Sequence, residues 1–140
     1  MQCDRTSDGS PVFLHCGADM SKTIFAPDAF AGKSVLISGG TSGIGYAAAA
    51  MFLSCGARVV LMGRDQMRGK SAEEQLSATG RVLFCAGDVR SLPDCGRVVA
   101  EAIRCYGALD VLVNAAGIYH EGALDALSEE ELDALLDTNI

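Results

Sequence analysis

Residues 38–45 read Ser38-Gly39-Gly40-Thr41-Ser42-Gly43-Ile44-Gly45, a glycine-spaced turn between two regular segments. The apolar run Val35-Leu36-Ile37 precedes the turn, and the alanine-rich segment 46–53 follows it. Apolar β-branched residues favour a strand and alanines favour a helix, so the pattern predicts a strand, a tight turn and a helix. This order is typical of the first unit of a dinucleotide-binding fold, although such a turn can also be a simple tight connection.

The glycines of this turn suit the binding of phosphate. Gly39 can take the tight backbone angles needed where the strand ends, and Gly43 has no side chain to hold a pyrophosphate away. Gly45 lets the new helix lie close to the sheet. The unpaired amides and the positive dipole end of that helix then attract phosphate oxygens. The predicted phosphate-binding residues are Gly39, Thr41, Ser42, Gly43, Ile44 and Gly45.

Composition predicts one soluble domain without a metal site. The chain has 140 residues, of which 49% are hydrophobic, and no segment approaches the roughly 20 apolar residues that span a bilayer. Its six cysteines form no Cys-x-x-Cys pair, which favours free thiols in a reducing compartment. Cys3, His15 and Cys16 match no metal-ligand pattern. We therefore expect a cytoplasmic protein that has no membrane segment.

The formal net charge of −7 is concentrated near the end of the chain. Residues 1–117 hold 11 acidic and 11 basic side chains. The excess acids are Glu121, Asp125, Glu129, Glu130, Glu131, Asp133 and Asp137. Acids on one helix and its approach indicate a solvated face, so neither a nucleic acid nor an anionic membrane is an expected partner.

The hydrophobic pattern predicts an α/β fold over residues 32–140, behind a flexible N-terminal extension, 1–31. Strands are expected near 34–38, 58–62, 81–86 and 109–113, and helices near 43–55, 65–78, 92–106 and from 128 onward. This alternation favours a Rossmann-type doubly wound parallel sheet, with the strand order 3-2-1-4. Because Ile140 falls inside the fourth helix, we expect the domain to be incomplete, cut after four strands.

Local signals place the helix ends. Ser128 and Glu131 have the spacing of a capping box, and Ser91 precedes the third helix with Pro93 in its first turn. Glycines follow the first three helices where each is expected to end. These glycines are Gly56, Gly80 and Gly107.

The end of the second strand favours NADP over NAD as the cofactor. An acidic residue at this point of the fold holds the ribose hydroxyls of NAD, whereas a nearby Arg accommodates the extra phosphate of NADP. Gly63 leaves the acidic position empty, and the guanidinium of Arg64 can bind a phosphate in bidentate fashion. Arg64 is alternatively an exposed loop charge. Asp65 is interpreted as a helix cap, although it would disfavour a phosphate if it turned inward.

The chain resembles the short-chain dehydrogenase/reductase family over about residues 31–140. The resemblance rests on the glycine turn, Gly63-Arg64, Asp88-Val89, Asn114-Ala115-Ala116-Gly117 and Asn139, in this order. It implies that Asp88 accepts a hydrogen bond from the adenine amino group and that Val89 packs on the ring. Asn114, Ala115, Ala116 and Gly117 would line the adenosine and ribose side. Asn139 would hold a water and orient the proton relay of the active site.

The resemblance implies an NADP(H)-dependent oxidoreductase that interconverts an alcohol and a ketone by hydride transfer. Its substrate would be a small carbonyl or alcohol compound, and the complete form would be a homo-oligomer. Family members use a Tyr-x-x-x-Lys pair and a Ser, but no Tyr-x-x-x-Lys occurs in this sequence. We therefore expect this chain alone to be inactive as the cofactor-binding part. A non-catalytic nucleotide-binding module and an inactive truncated product are the alternatives.

Overall fold

The computed structural model describes residues 25–140, which form one parallel sheet with helices on both faces. The strands are β1 (Ser34–Ser38), β2 (Arg58–Gly63), β3 (Val82–Ala86) and β4 (Val111–Asn114). The helices are α1 (Gly43–Ser54), α2 (Gln66–Ser77), α3 (Leu92–Tyr106) and α4 (Glu129–Asn139). A short 3-10 helix, Leu124–Ala126, precedes α4. The predicted alternation of strands and helices is confirmed.

The sheet has the strand order β3-β2-β1-β4, and its paired strands run parallel. This order confirms the predicted crossovers. Strand β1 is central, and its five residues are all buried. Since parallel strands end at the same edge, the segments after β1, β2, β3 and β4 meet there, where an open α/β sheet binds ligands.

Two apolar clusters hold the helices on opposite faces of the sheet. Alternate strand residues, including Ile37 and Leu61, pack with α1 and α2 on one face. The intervening residues, including Leu36 and Val60, pack with α3 on the other. This alternation follows from the period of two in a strand, and it explains why the central strands are apolar on both faces.

The predicted helix signals appear as hydrogen bonds. Ser91 and Ser128 cap α3 and α4 through their side chains, and Glu131 completes the capping box. Gly107 ends α3 in a left-handed conformation with φ 85°, and Gly56 follows α1 with φ 84°. Gly80 marks the end of its helix less exactly, because α2 ends at Ser77 and its C-cap residue is Ala78.

The N-terminal prediction is covered only in part, because residues 1–24 and with them Cys3, His15 and Cys16 lie outside the described residues. The remaining part of the predicted extension, 25–31, forms turns beside the domain. Phe30 packs edge-on against Phe52, with ring centroids 4.8 Å apart, and its amide donates to the carbonyl of Cys55. Contact with the domain thus begins slightly before residue 32.

Within residues 25–140, no helix is long and apolar enough to cross a membrane, and no His, Cys, Asp and Glu side chains cluster as a metal site would require.

Candidate functional site

A cleft of about 590 Å³ opens at the carboxyl edge of the sheet. It is lined by predicted cofactor-binding residues from all four strand ends: Gly39, Thr41, Ser42, Gly43, Ile44, Gly45, Arg64, Asp88, Val89, Ala115, Ala116 and Gly117. Residues that the sequence analysis did not single out also line it, among them Met62, Arg68, Ile118, Tyr119 and Thr138. Asn114 and Asn139 are not among the lining residues. The fold therefore brings most of the predicted site together.

Two glycines of the turn allow backbone segments to approach closely. Gly39 has φ +68°, and a Cβ on it would lie 2.6 Å from the carbonyl oxygen of Ala115. A Cβ on Gly45 would lie 2.3 Å from the carbonyl oxygen of Gly39. Neither neighbour is a flexible side chain. A larger residue at position 39 would push away the segment after β4, and one at position 45 would push the start of α1 away from the end of β1. The predicted roles of Gly39 and Gly45 in backbone geometry are confirmed.

The first turn of α1 presents amides to the cleft without a side-chain cap. Ser42 occupies the N-cap position, yet its hydroxyl accepts no hydrogen bond from the helix, and the first turn carries no acidic residue. The other three α-helices of residues 25–140 are capped by the side chains of Asp65, Ser91 and Ser128. Gly43 has φ +54°, and a Cβ there would meet no protein atom within 4 Å. Open space thus adjoins amides that favour an anion.

The hydroxyl of Ser38 joins the glycine turn to the segment after β4. Its Oγ accepts hydrogen bonds from the amides of Ala115, at 3.2 Å, and Ala116, at 3.4 Å. Asn114 pairs in register with Ser38, but its side chain is exposed. The sequence analysis missed this role of Ser38, although a polar residue that ends an apolar strand was the available signal.

The position that favours NAD in this fold is filled by a neighbour. A Cβ on Gly63 would lie 2.9 Å from Cγ2 of Thr41 and 3.3 Å from its Oγ1. An acidic residue at position 63 would therefore need Thr41 to move. The next residue, Arg64, is exposed and lines the cleft.

Asp65 also lines the cleft, but its carboxylate is occupied by the start of α2. Its Oδ1 accepts hydrogen bonds from the amides of Met67, at 2.9 Å, and Arg68, at 3.0 Å. Its Oδ2 lies 3.5 Å from Nε of Arg68. The interpretation of Asp65 as a helix cap is confirmed. Arg68 was missed, because it lies four positions after Arg64 and the sequence alone does not show that the first turn of α2 places it beside the same cleft.

Asp88 follows β3 and holds an ionised carboxylate at the cleft. Arg90 donates to both of its oxygens, and the shortest distance, from Nη2 to Oδ2, is 2.7 Å. These hydrogen bonds, aided by the backbone amide of Arg90, lower the pKa of Asp88 to about 2. The residue is therefore an acceptor only at neutral pH, which suits a ligand amino group.

The side chain of Asn139 joins the end of α4 to the segment after β4. Its Oδ1 accepts from the amide of Ile118 at 3.0 Å, and its Nδ2 donates to the carbonyl of Ile118 at 2.9 Å. The amide group is thus engaged by backbone on both sides. The predicted link of Asn139 to a proton relay stays a prediction, and what the geometry shows is a tether between α4 and Ile118.

The two polar aromatics after β4 have separate surroundings. Tyr119 lines the cleft and is 82% exposed. His120 points toward α4, with Nδ1 3.7 Å from Oε1 of Glu131. Neither has the neighbouring Lys that the family pattern requires of a catalytic Tyr. The cleft therefore offers amides, arginines and the carboxylate of Asp88, while that of Asp65 caps α2, and this set fits a phosphate-bearing nucleotide.

Comparison with known protein sequences identifies relatives of the chain. A family model described as short chain dehydrogenase matches residues 33–140. An uncharacterized oxidoreductase of Thermotoga maritima is 39% identical over 112 residues, covering 79% of this chain and 44% of the relative. The 3-oxoacyl-(acyl-carrier-protein) reductase FabG of Chlamydia muridarum is 38% identical over 110 residues, covering 77% of this chain and 44% of the relative.

Solved structures give the same result. The citronellol catabolism dehydrogenase AtuB of Pseudomonas aeruginosa PAO1 superposes with a TM-score of 0.78 at 31% identity, covering 84% of this chain and 48% of that one. A variant of the actinorhodin polyketide ketoreductase with NADPH has a TM-score of 0.74 at 32% identity, covering 77% and 42%. The chain spans less than half the length of these relatives. By the match of its residues 33–140, it belongs to the short-chain dehydrogenase/reductase family.

Proposed function

We propose that this chain binds NADP(H) in the cleft and is the cofactor-binding part of an oxidoreductase that interconverts an alcohol and a ketone. The observation that carries the proposal is the combination of uncapped α1 amides with Arg64 and Arg68 along one cleft. When bound, the nicotinamide supplies or accepts the hydride. The substrate would be a small carbonyl or alcohol compound, and the whole protein a cytoplasmic homo-oligomer.

The glycine turn would hold the pyrophosphate. Its open side at Gly43 leaves room for phosphate oxygens, and the first-turn amides of α1 lack a competing side-chain acceptor. The helix dipole adds a positive potential at the same point. Thr41, Ser42 and Ile44 would complete this contact as lining residues.

The preference for NADP over NAD rests on Gly63, Arg64 and Asp65. No carboxylate extends from position 63, and the space beside it holds Thr41. The carboxylate of Asp65 accepts hydrogen bonds from the first amides of α2. Its negative charge, which would otherwise repel the phosphate on the ribose, is therefore held at the start of that helix. The guanidinium of Arg64 can then meet that phosphate in a bidentate contact.

The adenine side would be built by Asp88 and Val89 after β3, and the ribose side by Ala115, Ala116 and Gly117. Asn114 would act through the sheet, since its side chain is exposed outside the cleft. Asn139 would order the proton-transfer side of the site by holding Ile118. No Tyr-x-x-x-Lys is present in this sequence. We therefore expect the chain alone to bind cofactor without reducing a ketone.

A titration with NADPH and with NADH, followed by cofactor fluorescence, tests this function. We expect tighter binding of NADPH, and we expect Arg64→Ala to remove most of that preference. Loss of one charged contact to a phosphate corresponds to a weakening of about tenfold or more. Arg81→Ala is the matched control, because Arg81 is exposed at the other edge of the sheet. Equal affinities in the unaltered chain would contradict the NADP assignment, and binding of neither cofactor would contradict the site.

A further inference from the structure

Arg90 pairs with Asp88 but is not among the residues that line the cleft. Its Nη2 is 2.7 Å from Oδ2 of Asp88, and its Nε is 3.1 Å from each carboxylate oxygen. Its backbone amide also donates to Oδ1, at 3.0 Å. Within residues 25–140, the side chain of Arg90 donates hydrogen bonds to Asp88 alone. Any effect of Arg90 on a ligand in the cleft would therefore pass through that carboxylate.

The pairing fixes the orientation of the carboxylate and determines which acceptor position stays available. An ionised carboxylate has about four lone-pair sites, two on each oxygen. Oδ1 receives the amide and the Nε of Arg90, whereas Oδ2 receives Nη2 and shares Nε. The three donors, the amide, Nε and Nη2, thus occupy three of the four sites and leave one acceptor position for a ligand. A planar guanidinium fork holds that position more rigidly than a single ammonium would.

The backbone of Asp88 is held by a different residue. Its amide donates to Oδ2 of Asp94 at 3.1 Å, and Arg97 donates to Oδ1 of Asp94 at 3.0 Å. The loop conformation therefore has a support that does not involve the Asp88 carboxylate. This separation means that the Arg90 pair can be removed while Asp94 still holds the loop.

We propose that Arg90 is a positioning residue that presents the Asp88 carboxylate to the cleft as an acceptor selective for a 6-aminopurine. The inference rests on the proposed function, in which the cleft binds a dinucleotide. The exocyclic amino group of adenine donates a hydrogen bond to this acceptor. Hypoxanthine carries a carbonyl oxygen at the same position, which the carboxylate repels. The Arg90–Asp88 pair thus determines discrimination between purines rather than overall affinity.

The test compares NADPH with its deamino analogue, in which hypoxanthine replaces adenine. We expect the unaltered chain to bind NADPH about tenfold more tightly or better, as for a hydrogen bond to a charged acceptor. Arg90→Ala should lower the ratio of the two affinities, because the carboxylate stays ionised but is no longer held in one orientation. Arg90→Lys keeps the charge without the fork and should give an intermediate ratio. Arg104→Ala should leave the ratio unchanged, because it removes a similar Arg–carboxylate pair, with Glu101, outside the cleft.

The outcomes separate this inference from the proposed function. A folded Arg90→Ala variant, checked by circular dichroism, that keeps the full preference for NADPH would overturn the inference. An equal loss of affinity for both cofactors would also overturn it, since that indicates a structural effect. Equal binding of both cofactors by the unaltered chain would exclude selection by Asp88 and leave cofactor binding intact. Failure of the unaltered chain to bind either cofactor would overturn both proposals.

Discussion

Strands β2 and β4 both pair with β1 in parallel register, but they differ in burial. Ile37 of β1 lies opposite Leu61 of β2, and Leu36 lies opposite Leu112 of β4. Leu61 is fully buried, whereas Leu112 is 56% exposed. The β2 side of the sheet is therefore held by apolar packing, and the β4 side has much less of it.

The helices show the same difference. Helices α1, α2 and α3 each bury residues against the sheet, whereas α4 buries none. The β4 side is held by its pairing with β1 and by the partly buried Val111 and Val113, supplemented by polar contacts of Ser38, Asp110 and Asn139. The parts of the cleft that are proposed to bind phosphate and adenine belong to the well-packed side. We infer that these parts keep their geometry when the β4 side is loosened.

The largest expected effect comes from a matched pair of leucines. Leu61→Ala should lower the free energy of unfolding by about 2–5 kcal/mol, because it opens a cavity in the packed core. Leu112→Ala removes the same atoms from an exposed site, so we expect a loss below about 1 kcal/mol. Urea unfolding at neutral pH measures both. Similar losses for the two variants would refute the comparison.

Gly45→Ala should have the next largest effect, on the well-packed side. Its Cβ would lie 2.3 Å from a backbone oxygen, so the start of α1 must shift. Overpacking of this kind costs about 1–3 kcal/mol, and the shift also displaces the amides that would bind phosphate. We expect NADPH binding to fall more than stability does. The control is Gly96→Ala, since a Cβ on Gly96 meets nothing within 4 Å. Unchanged binding in a folded Gly45→Ala variant would argue against phosphate at this turn.

Much of the fold and of the site could be predicted because their signals are local. The glycine turn, the apolar strands and the Ser128–Glu131 box each depend on residues close in sequence, and the structure has all three. The strand order followed because parallel crossovers have one hand. Because parallel strands end at the same edge of a sheet, Asp88 and Gly117 could both be assigned to that edge from the sequence, and both line the cleft.

The remaining features depend on geometry that the sequence does not state. Alternation along β4 half-buries Val113 and exposes Asn114, which explains why Asn114 is outside the cleft although Ala115, the next residue, lines it. Asn139 is 21 residues from Ile118, its partner, and a short motif does not reveal such a pair. Arg68 joins the lining through the pitch of α2.

A smaller effect should follow from removing the Asn139 tether on the β4 side. Asn139→Ala loses two exposed hydrogen bonds to Ile118, so we expect about 1 kcal/mol less stability and faster amide exchange at Ile118. NADPH affinity should change little, because Ile118 lines the β4 side of the cleft and the parts proposed to bind phosphate and adenine lie on the well-packed side. Gln75→Ala removes another exposed amide, bonded to Tyr46 and Ser71, and should leave exchange at Ile118 unchanged. Slow exchange at Ile118 in Asn139→Ala would show that other contacts hold this segment.

The smallest expected effect is a loss of stability on acidification, caused by protonation of Asp110 where it contacts the start of β1. The amide of Ser34 and then the ammonium of Lys33 hold the pKa of Asp110 below its ordinary value. A carboxyl with a lowered folded-state pKa stabilises the fold above about pH 4, and that stabilisation is lost as the pH falls further. Below about pH 4, amide exchange should therefore quicken in β4 before β2, after correction for the intrinsic rate. Asp110→Asn should remove this pH dependence, whereas Glu101→Gln, which alters a paired carboxyl on α3, should preserve it. If acid loosened β2 and β4 together in the unaltered chain, Asp110 would not be the contact that holds β4.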